Sequence, residues 1–336
     1  MRVYELQEAA GIDSLMLTER AEPRPGPGQV LVRMRAASLN YRDLIVVKGG
    51  LGPALPLPLV PLSDGAGEVV EVGPGVERVK PGDRVAGTFF QRWVTGPITE
   101  EAAASALGGA VDGVLAELVV FEQDGVVHIP EHLNWEEAAC LPCAALTAWN
   151  ALFESGSLRP GEIVLTQGTG GVSVFALQFA RLAGATVIAT TSSEAKADRL
   201  RALGAAEVIN YRTTPEWSKA ARASSGGRGV DHVIEVGGAG TFEQSLRAVR
   251  RGGTISFIGR LAAPAEFNAN WIFIKSVRVQ GIYVGSREMF ENMNRAIQAA
   301  GLRPVVDRVF AFEEARQALR YLESGAHFGK VCIRFG

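Results

Sequence analysis

The 336-residue chain is poor in the residues that staple, chelate or carry one sign of charge: it has three cysteines, four histidines and a formal net charge of −2. Cys140, Cys143 and Cys332 cannot build a disulfide framework, and the Cys140-x-x-Cys143 pair has no second pair to complete a zinc site. A reducing compartment fits that usage. Of the histidines, only His128 and His132 stand at an i, i+4 spacing, and Pro130 between them keeps the pair off a regular helix, so no metal site is expected. The near-balanced charge leaves no basic footprint for nucleic acid or an anionic membrane. No uncharged apolar stretch approaches the roughly 20 residues of a membrane span, and Met1 to Glu8 lacks the charged-then-apolar pattern of a secretory signal. These absences point to a cytoplasmic protein with a small-molecule partner, no nucleic acid and no membrane.

What the chain has is length enough for about two domains of roughly 100–200 residues each, punctuated by 39 glycines and 16 prolines. The first 120 residues read as β-rich: Val30 to Ala36 and Gly67 to Val72 alternate between turns such as Pro25-Gly26-Pro27-Gly28 and Pro81-Gly82-Asp83, as in a compact, partly open barrel. Asn40 to Lys48 reads as a short helix, followed by a stiff loop through Pro53, Pro56, Pro58 and Pro61 that is long enough to wall a pocket. Trp93 to Leu115 reads as an excursion with a short helix. From about Asp124 strands alternate with helical segments, the mark of a parallel sheet covered on both faces. Its six strands are Ile163–Thr166, Thr186–Ala189, Glu207–Ile209, His232–Val236, Thr254–Ile258 and Val277–Val284. The helix from Arg287 carries Met289, Met293 and Ile297 on one face, and after Gly301 a strand, a helix and a closing strand read as a tail that returns to the first domain. The expected division is 1–123 with 303–336 for the β-rich domain, and 124–302 for the parallel-sheet domain.

The strand Val164 to Gln167 runs through Gly168-Thr169-Gly170-Gly171-Val172-Ser173 into a helix. Gly168 and Gly170 take the first two places of G-x-G-x-x-G, where a tight turn and close backbone approach receive a pyrophosphate at the helix N-terminus. Ser173 takes the third, a mild departure because that place serves packing. Some 20 residues on, where an acidic side chain would select the ribose hydroxyls of NAD, the run is Thr190-Thr191-Ser192-Ser193. Ser192, Ser193, Lys196, Tyr211 and Arg212 offer hydroxyls and positive charge to a 2′-phosphate, which favours NADPH over NADH. In the first domain, Ser38-Leu39-Asn40-Tyr41-Arg42-Asp43 gathers an amide, a phenol, a guanidinium and a carboxylate at one helix start. As structure alone, Asn40 is a good N-cap and Asp43 suits the first turn; Tyr41 is the better hydroxyl donor. Asp64 lies between the proline loop and a strand, where a plain turn residue is the other reading.

The order of parts, with Val69-Val70-Glu71-Val72-Gly73, Pro81-Gly82-Asp83-Arg84-Val85, the glycine turn and the tail Gly325-Ala326-His327-Phe328-Gly329-Lys330-Val331, resembles the medium-chain dehydrogenase/reductase superfamily over essentially the whole chain. The resemblance implies an α/β fold: a doubly wound parallel Rossmann sheet plus a β-rich, GroES-like catalytic domain. The zinc alcohol dehydrogenases of that family hold catalytic zinc with a cysteine, a histidine and a second cysteine. Here Asn40 stands in the first place, Ser63-Asp64 where a His-Glu pair falls, and only Cys143 fills the third; the four-cysteine structural lobe is missing. The chain therefore resembles the zinc-independent, quinone-oxidoreductase-like branch. That implies NADPH, no zinc, and reduction of quinones or α,β-unsaturated carbonyls by hydride transfer, with Asn40, Tyr41 and Asp64 in catalytic roles. Cofactor contacts are then expected from Gly168, Thr169, Gly170, Gly171 and Val172, from the phosphate group above, from Gly237, Gly259 and Gly285 at strand ends, and from Phe328 and Lys330. A metal-free alcohol or aldehyde dehydrogenase and a non-catalytic NADPH-binding protein are the alternatives. Relatives pair the last sheet strand across a two-fold axis, so a homodimer is expected.

Overall fold

The computed structural model describes residues 1–50, 55–259 and 266–336; Pro53 of the proline loop lies outside them. The chain divides into two compact units, Met1–Leu146 with Val284–Gly336, and Thr147–Tyr283.

In the first unit β1 (Arg2–Leu6) pairs antiparallel with β2 (Leu15–Glu19). The alternating run noted above forms β3 (Gln29–Ser38): Val30, Val32, Met34 and Ala36 are buried while Arg33 is exposed and Arg35 half-buried, the period-two pattern of a half-buried strand, and Leu31, Ala37 and Ser38 toward the ends are buried on the other face too. After α1 (Tyr41–Val47) come β4 (Asp64–Val72) and β5 (Arg84–Gly87), then the one-turn α2 (Glu100–Ala103) inside the Trp93 to Leu115 excursion. Next are β6 (Leu118–Glu122), β7 (Val126–His128) and α3 (Trp135–Ala139). A helical run follows, in which α4 (Leu146–Trp149) is flanked by π-helical turns at Leu141–Ala145 and Asn150–Glu154.

The second unit carries β8 (Ile163–Gln167), α5 (Gly171–Leu182), β9 (Thr186–Thr191), α6 (Glu194–Ala202), β10 (Glu207–Asn210) and α7 (Trp217–Ser224). It continues with β11 (Val230–Glu235), α8 (Ala239–Ala248), β12 (Val249–Phe257), α9 (Asn270–Lys275) and β13 (Arg278–Gly281). All its strand pairs are parallel, in the order β10-β9-β8-β11-β12-β13. This is the doubly wound arrangement, whose order reverses beside β8, where ligands bind beyond the strands' carboxyl ends.

The chain then re-enters the first unit with α10 (Arg287–Ala300), β14 (Val306–Ala311), α11 (Ala315–Glu323) and β15 (Lys330–Arg334). β15 pairs antiparallel with the last residues of β3 while β6 pairs with its first half, so the seven-stranded sheet is an open path from β14 to β7.

The units divide elsewhere than at 123/124 and 302/303. Strand–helix alternation begins near Asp124, but β7 hydrogen-bonds to β5, and α10 lies on β7 through Asn294, whose amide donates to His128 O at 2.9 Å. Phe290, Met293 and Ile297 are the buried face of α10, with Met289 half-buried beside them. Pairing and packing partners decide the boundary, and periodicity does not report partners.

Candidate active site

In the second unit, β8 ends at Gln167 and the backbone turns at Gly168 with φ +72°, which glycine takes without steric cost. A Cβ on Gly168 or Gly170 would meet nothing within 4 Å. That space is open, and the first N–H groups of α5, from Gly171 and Val172 on, have no intrahelical acceptor. Such a turn receives a pyrophosphate. Thr169 is buried beside it. Ser173 is buried too, and its Oγ donates to Gln167 O at 2.6 Å, tying the helix start to the strand end as the third position requires. Gly168 N donates to Thr190 O at 3.0 Å, which joins the turn to the end of β9.

At that end Thr190 and Thr191 are buried and Ser192, Ser193 and Lys196 are half-buried. Tyr211 and Arg212 are exposed just past β10, and Tyr211 N donates to Thr191 O at 2.9 Å. Adjacent strand ends thus bring the five expected phosphate residues into one neighbourhood. Sequence reasoning passed over Glu194, which opens α6 and accepts from Asn210 Nδ2 at 2.6 Å. It also missed Glu235, buried at the end of β11. Gln167 Nε2 donates to its Oε2 at 2.8 Å, while Gly237 N and Gly238 N each donate to Oε1 at 2.9 Å. An internal carboxylate therefore fixes the loop after β11. Gly237 and Gly259 are required by the chain itself, since a Cβ would lie 2.2 Å from Thr241 Oγ1 and 1.8 Å from Val236 O respectively. Gly285 belongs to the first unit and packs on Leu146.

In the first unit, Asp43 caps α1 by accepting from Asn40 N at 2.7 Å. Asn40 Oδ1 accepts from Lys330 Nζ at 2.6 Å, and its Nδ2 donates to Ser63 Oγ at 3.4 Å. Lys330 also donates to Leu39 O at 2.6 Å and is buried, as is Phe328 beside it in the chain. Ser63 donates to Asp64 Oδ1 at 2.7 Å, and Cys143 N donates to Asp64 Oδ2 at 3.0 Å. The site thus closes on Lys330, Asn40, Ser63, Asp64 and the backbone of the π-helical turn. Its backbone is strained at Leu62, with φ +70°. Gly108 and Gly113 of the excursion make room for it, because Cβ atoms there would lie 2.5 Å and 2.0 Å from Leu62 O.

Burial raises the carboxyl of Asp64, opposed chiefly by Lys330. Asp43, fully buried, with Oδ1 accepting no hydrogen bond among the described residues but lying 3.8 Å from the Arg42 guanidinium, is raised by burial to about 6, against the pull of Arg42. Burial, then the Asp64 charge, raises the Cys143 thiol. Tyr41 is 47% exposed, and its hydroxyl makes no hydrogen bond among the described residues. Cys140 and Cys332 are buried free thiols, Sγ to Sγ 3.5 Å.

This donor set does not fit the catalytic zinc of the family. Asn40 Oδ1 accepts from an ammonium, Asp64 is engaged by Ser63 and Cys143 N, and the single thiol is held protonated by its surroundings, whereas zinc takes three or four deprotonated or neutral ligands. Among the described residues no group of three or more His, Cys, Asp or Glu stands ready for a metal.

A doubly wound sheet with an open glycine turn in one unit, and a buried polar cluster in a β-rich unit, are the parts of a dinucleotide-dependent oxidoreductase. Family models described as alcohol dehydrogenase GroES-like domain and zinc-binding dehydrogenase match residues 26–131 and 171–299. The chain is 45% identical to a zinc-type alcohol dehydrogenase-like protein of Schizosaccharomyces pombe over 99% of both chains. It is 32% identical to a chloroplastic quinone-oxidoreductase homolog of Spinacia oleracea, over 96% of this chain and 94% of the other. A crystal structure of a putative alcohol dehydrogenase from Sinorhizobium meliloti 1021 superposes with TM-score 0.93 at 45% identity, covering 99% of this chain and 98% of that one. The chain belongs to the medium-chain dehydrogenase/reductase superfamily.

Proposed function

We propose that this protein is a zinc-independent, NADPH-dependent reductase of quinones or α,β-unsaturated carbonyls. The observation that carries the reading is the Lys330 ammonium on Asn40 Oδ1: where a zinc enzyme of the family needs a ligand, this chain has an amide already held by a cation. Bound NADPH supplies a hydride. Charge then develops on the substrate oxygen, and a conjugated acceptor spreads that charge so that hydrogen bonds suffice to stabilise it. Tyr41 donates to that oxygen, Asn40 orients substrate or the nicotinamide ribose, and Asp64 supplies polarity, with water as the proton source. In the second unit the glycine turn from Gly168 to Val172 holds the pyrophosphate, and Ser192, Ser193, Lys196, Tyr211 and Arg212 hold the 2′-phosphate. Gly237, Gly259, Gly285 and Phe328 line the cofactor by backbone or contact, while Lys330 acts by holding Asn40.

A second reading, metal-free oxidation of alcohols or reduction of simple aldehydes, is favoured by the alcohol dehydrogenase names of the relatives. The two separate on a panel of quinones, enones, aldehydes and alcohols assayed by nicotinamide absorbance after exhaustive chelation. The proposal expects quinone or enone turnover with NADPH preferred to NADH. Alcohol oxidation that needs added zinc would overturn it, and cofactor protection against unfolding without any turnover would make the protein a non-catalytic NADPH binder.

Three free thiols fit a reducing, cytoplasmic setting, and no described helix is long and apolar enough to cross a membrane. We also propose a homodimer through the β13 edge, which among the described residues pairs with β12 alone.

A further inference from the structure

At the edge of the second unit's sheet where the strands begin, opposite the glycine turn, a cavity of about 630 Å³ is lined by five arginines, Lys275 and Trp271. The elements bring them there from several directions. Arg222, Arg247 and Lys275 lie in the last turns of α7, α8 and α9, Arg228 precedes β11, and Arg250 and Arg251 open β12. Two carboxylates form ion pairs with these six cations: Asp231 takes Arg228 at 2.7 Å and Arg250 at 2.5 Å, and Glu243 takes Arg247 at 2.5 Å. Glu162 adds a more distant negative charge near Arg228.

Among the described residues the remaining cations meet only backbone. Arg222 donates to Gly227 O at 2.5 Å, and Arg251 donates to Ile274 O at 2.6 Å. Lys275 Nζ, buried, donates to Leu246 O at 2.6 Å and Arg247 O at 3.2 Å, and to Val249 O. Burial, then repulsion from Arg222 and Arg251, lowers the Lys275 ammonium to about 8; with Asp231 and Glu243 the carboxylates paired to the lining cations among the described residues, positive charge is left uncompensated. Capping of helix C-termini accounts for a cation or two at each helix end. It does not account for six of them converging on one open cavity. Guanidinium forks match phosphate oxygens in pairs, and Trp271, 36% exposed, offers a ring face beside them.

We propose that this cavity binds a small polyphosphate, free or as the chain of a nucleotide, at a second site on the opposite sheet edge from the cofactor turn. The test is calorimetric titration of the full-length protein with inorganic tripolyphosphate and with ATP, in saturating NADP+ and NAD+ so that the cofactor turn is filled. The expected result is saturable tripolyphosphate binding that weakens at least tenfold in Arg222→Gln/Arg251→Gln and is unchanged in Arg212→Ala, which alters the carboxyl edge. Equal affinity for both probes assigns the site to a bare phosphate chain; tighter ATP binding that is lost in Trp271→Ala assigns it to a nucleotide. Arg251→Gln alone, at an exposed residue, serves if the double variant does not fold. No saturable binding at millimolar probe, binding indifferent to the Arg251 change, or binding lost in Arg212→Ala would each overturn the proposal.

Discussion

Lys330 and Asp43 show how single buried charges set the behaviour of the first unit. Lys330 bonds directly to the Asn40 amide, and its ammonium also offsets the burial of Asp64 and Asp43. Lys330→Met leaves two acceptors and two buried carboxylates without it. The expected cost is about 3–5 kcal/mol, as for other buried charge networks broken on one side, read as a lower denaturation midpoint at unchanged m-value. Retention of full stability would show that the network is not held by this lysine. Asp43 gives a pH signature. Its native pKa of about 6 lies above the unfolded value of about 3.9, so between those two values the native state binds more protons than the unfolded one and stability falls as pH rises. The ionised carboxylate costs about 3 kcal/mol once pH exceeds the native value. Asp43→Asn keeps an oxygen for the Asn40 N–H and removes this slope, leaving a slope of the same sign from Asp64. Denaturation curves from pH 4 to 7 that are parallel for the two proteins would contradict the assignment.

At the scale of elements, the loop that delivers Ser63 and Asp64 depends on glycines far from it in sequence. Gly113→Ala would place a Cβ 2.0 Å from Leu62 O, and Leu62 already stands at φ +70°. The backbone must shift, at a cost of about 1–3 kcal/mol from overpacking, and turnover is expected to fall more than cofactor affinity, because the change lies in the first unit. Equal loss of both would point to general unfolding instead. The same elements show what was legible in the sequence. β8 to β13 could be read from apolar runs between turns, and α1 from its cap residues, since both signals are local. Asn40 and Asp64 were nameable as candidates, but their partner was not: Lys330 lies 290 residues from Asn40 and reaches it only because β15 pairs with the end of β3. Glu235 escaped notice for the same reason, as its carboxylate is matched by Gln167 on another strand. Local pattern specifies elements, whereas the chemistry of a buried charge is written by neighbours that only strand pairing supplies.

For the molecule as a whole, the second unit leaves a flank that water does not suit. Among the described residues β13 hydrogen-bonds on one side only, with Val279 36% exposed, and nearby Phe273 is 83% and Ile274 51% exposed. Scattered apolar residues are ordinary on a surface, but an unpaired strand edge carrying them is an aggregation hazard unless something covers it. A second copy of the same edge is the simplest cover, because an isologous contact closes on itself. Sedimentation should therefore give twice the chain mass, and the melting temperature should rise with protein concentration, since association draws on the folded state. Phe273→Asp with Val279→Lys would put charges on that flank without touching the cofactor turn. The pair is expected to yield monomer of lower melting temperature that still binds NADPH. A wild-type protein that sediments as monomer at every concentration would refute the dimer. A double variant that remains dimeric would move the interface to another face.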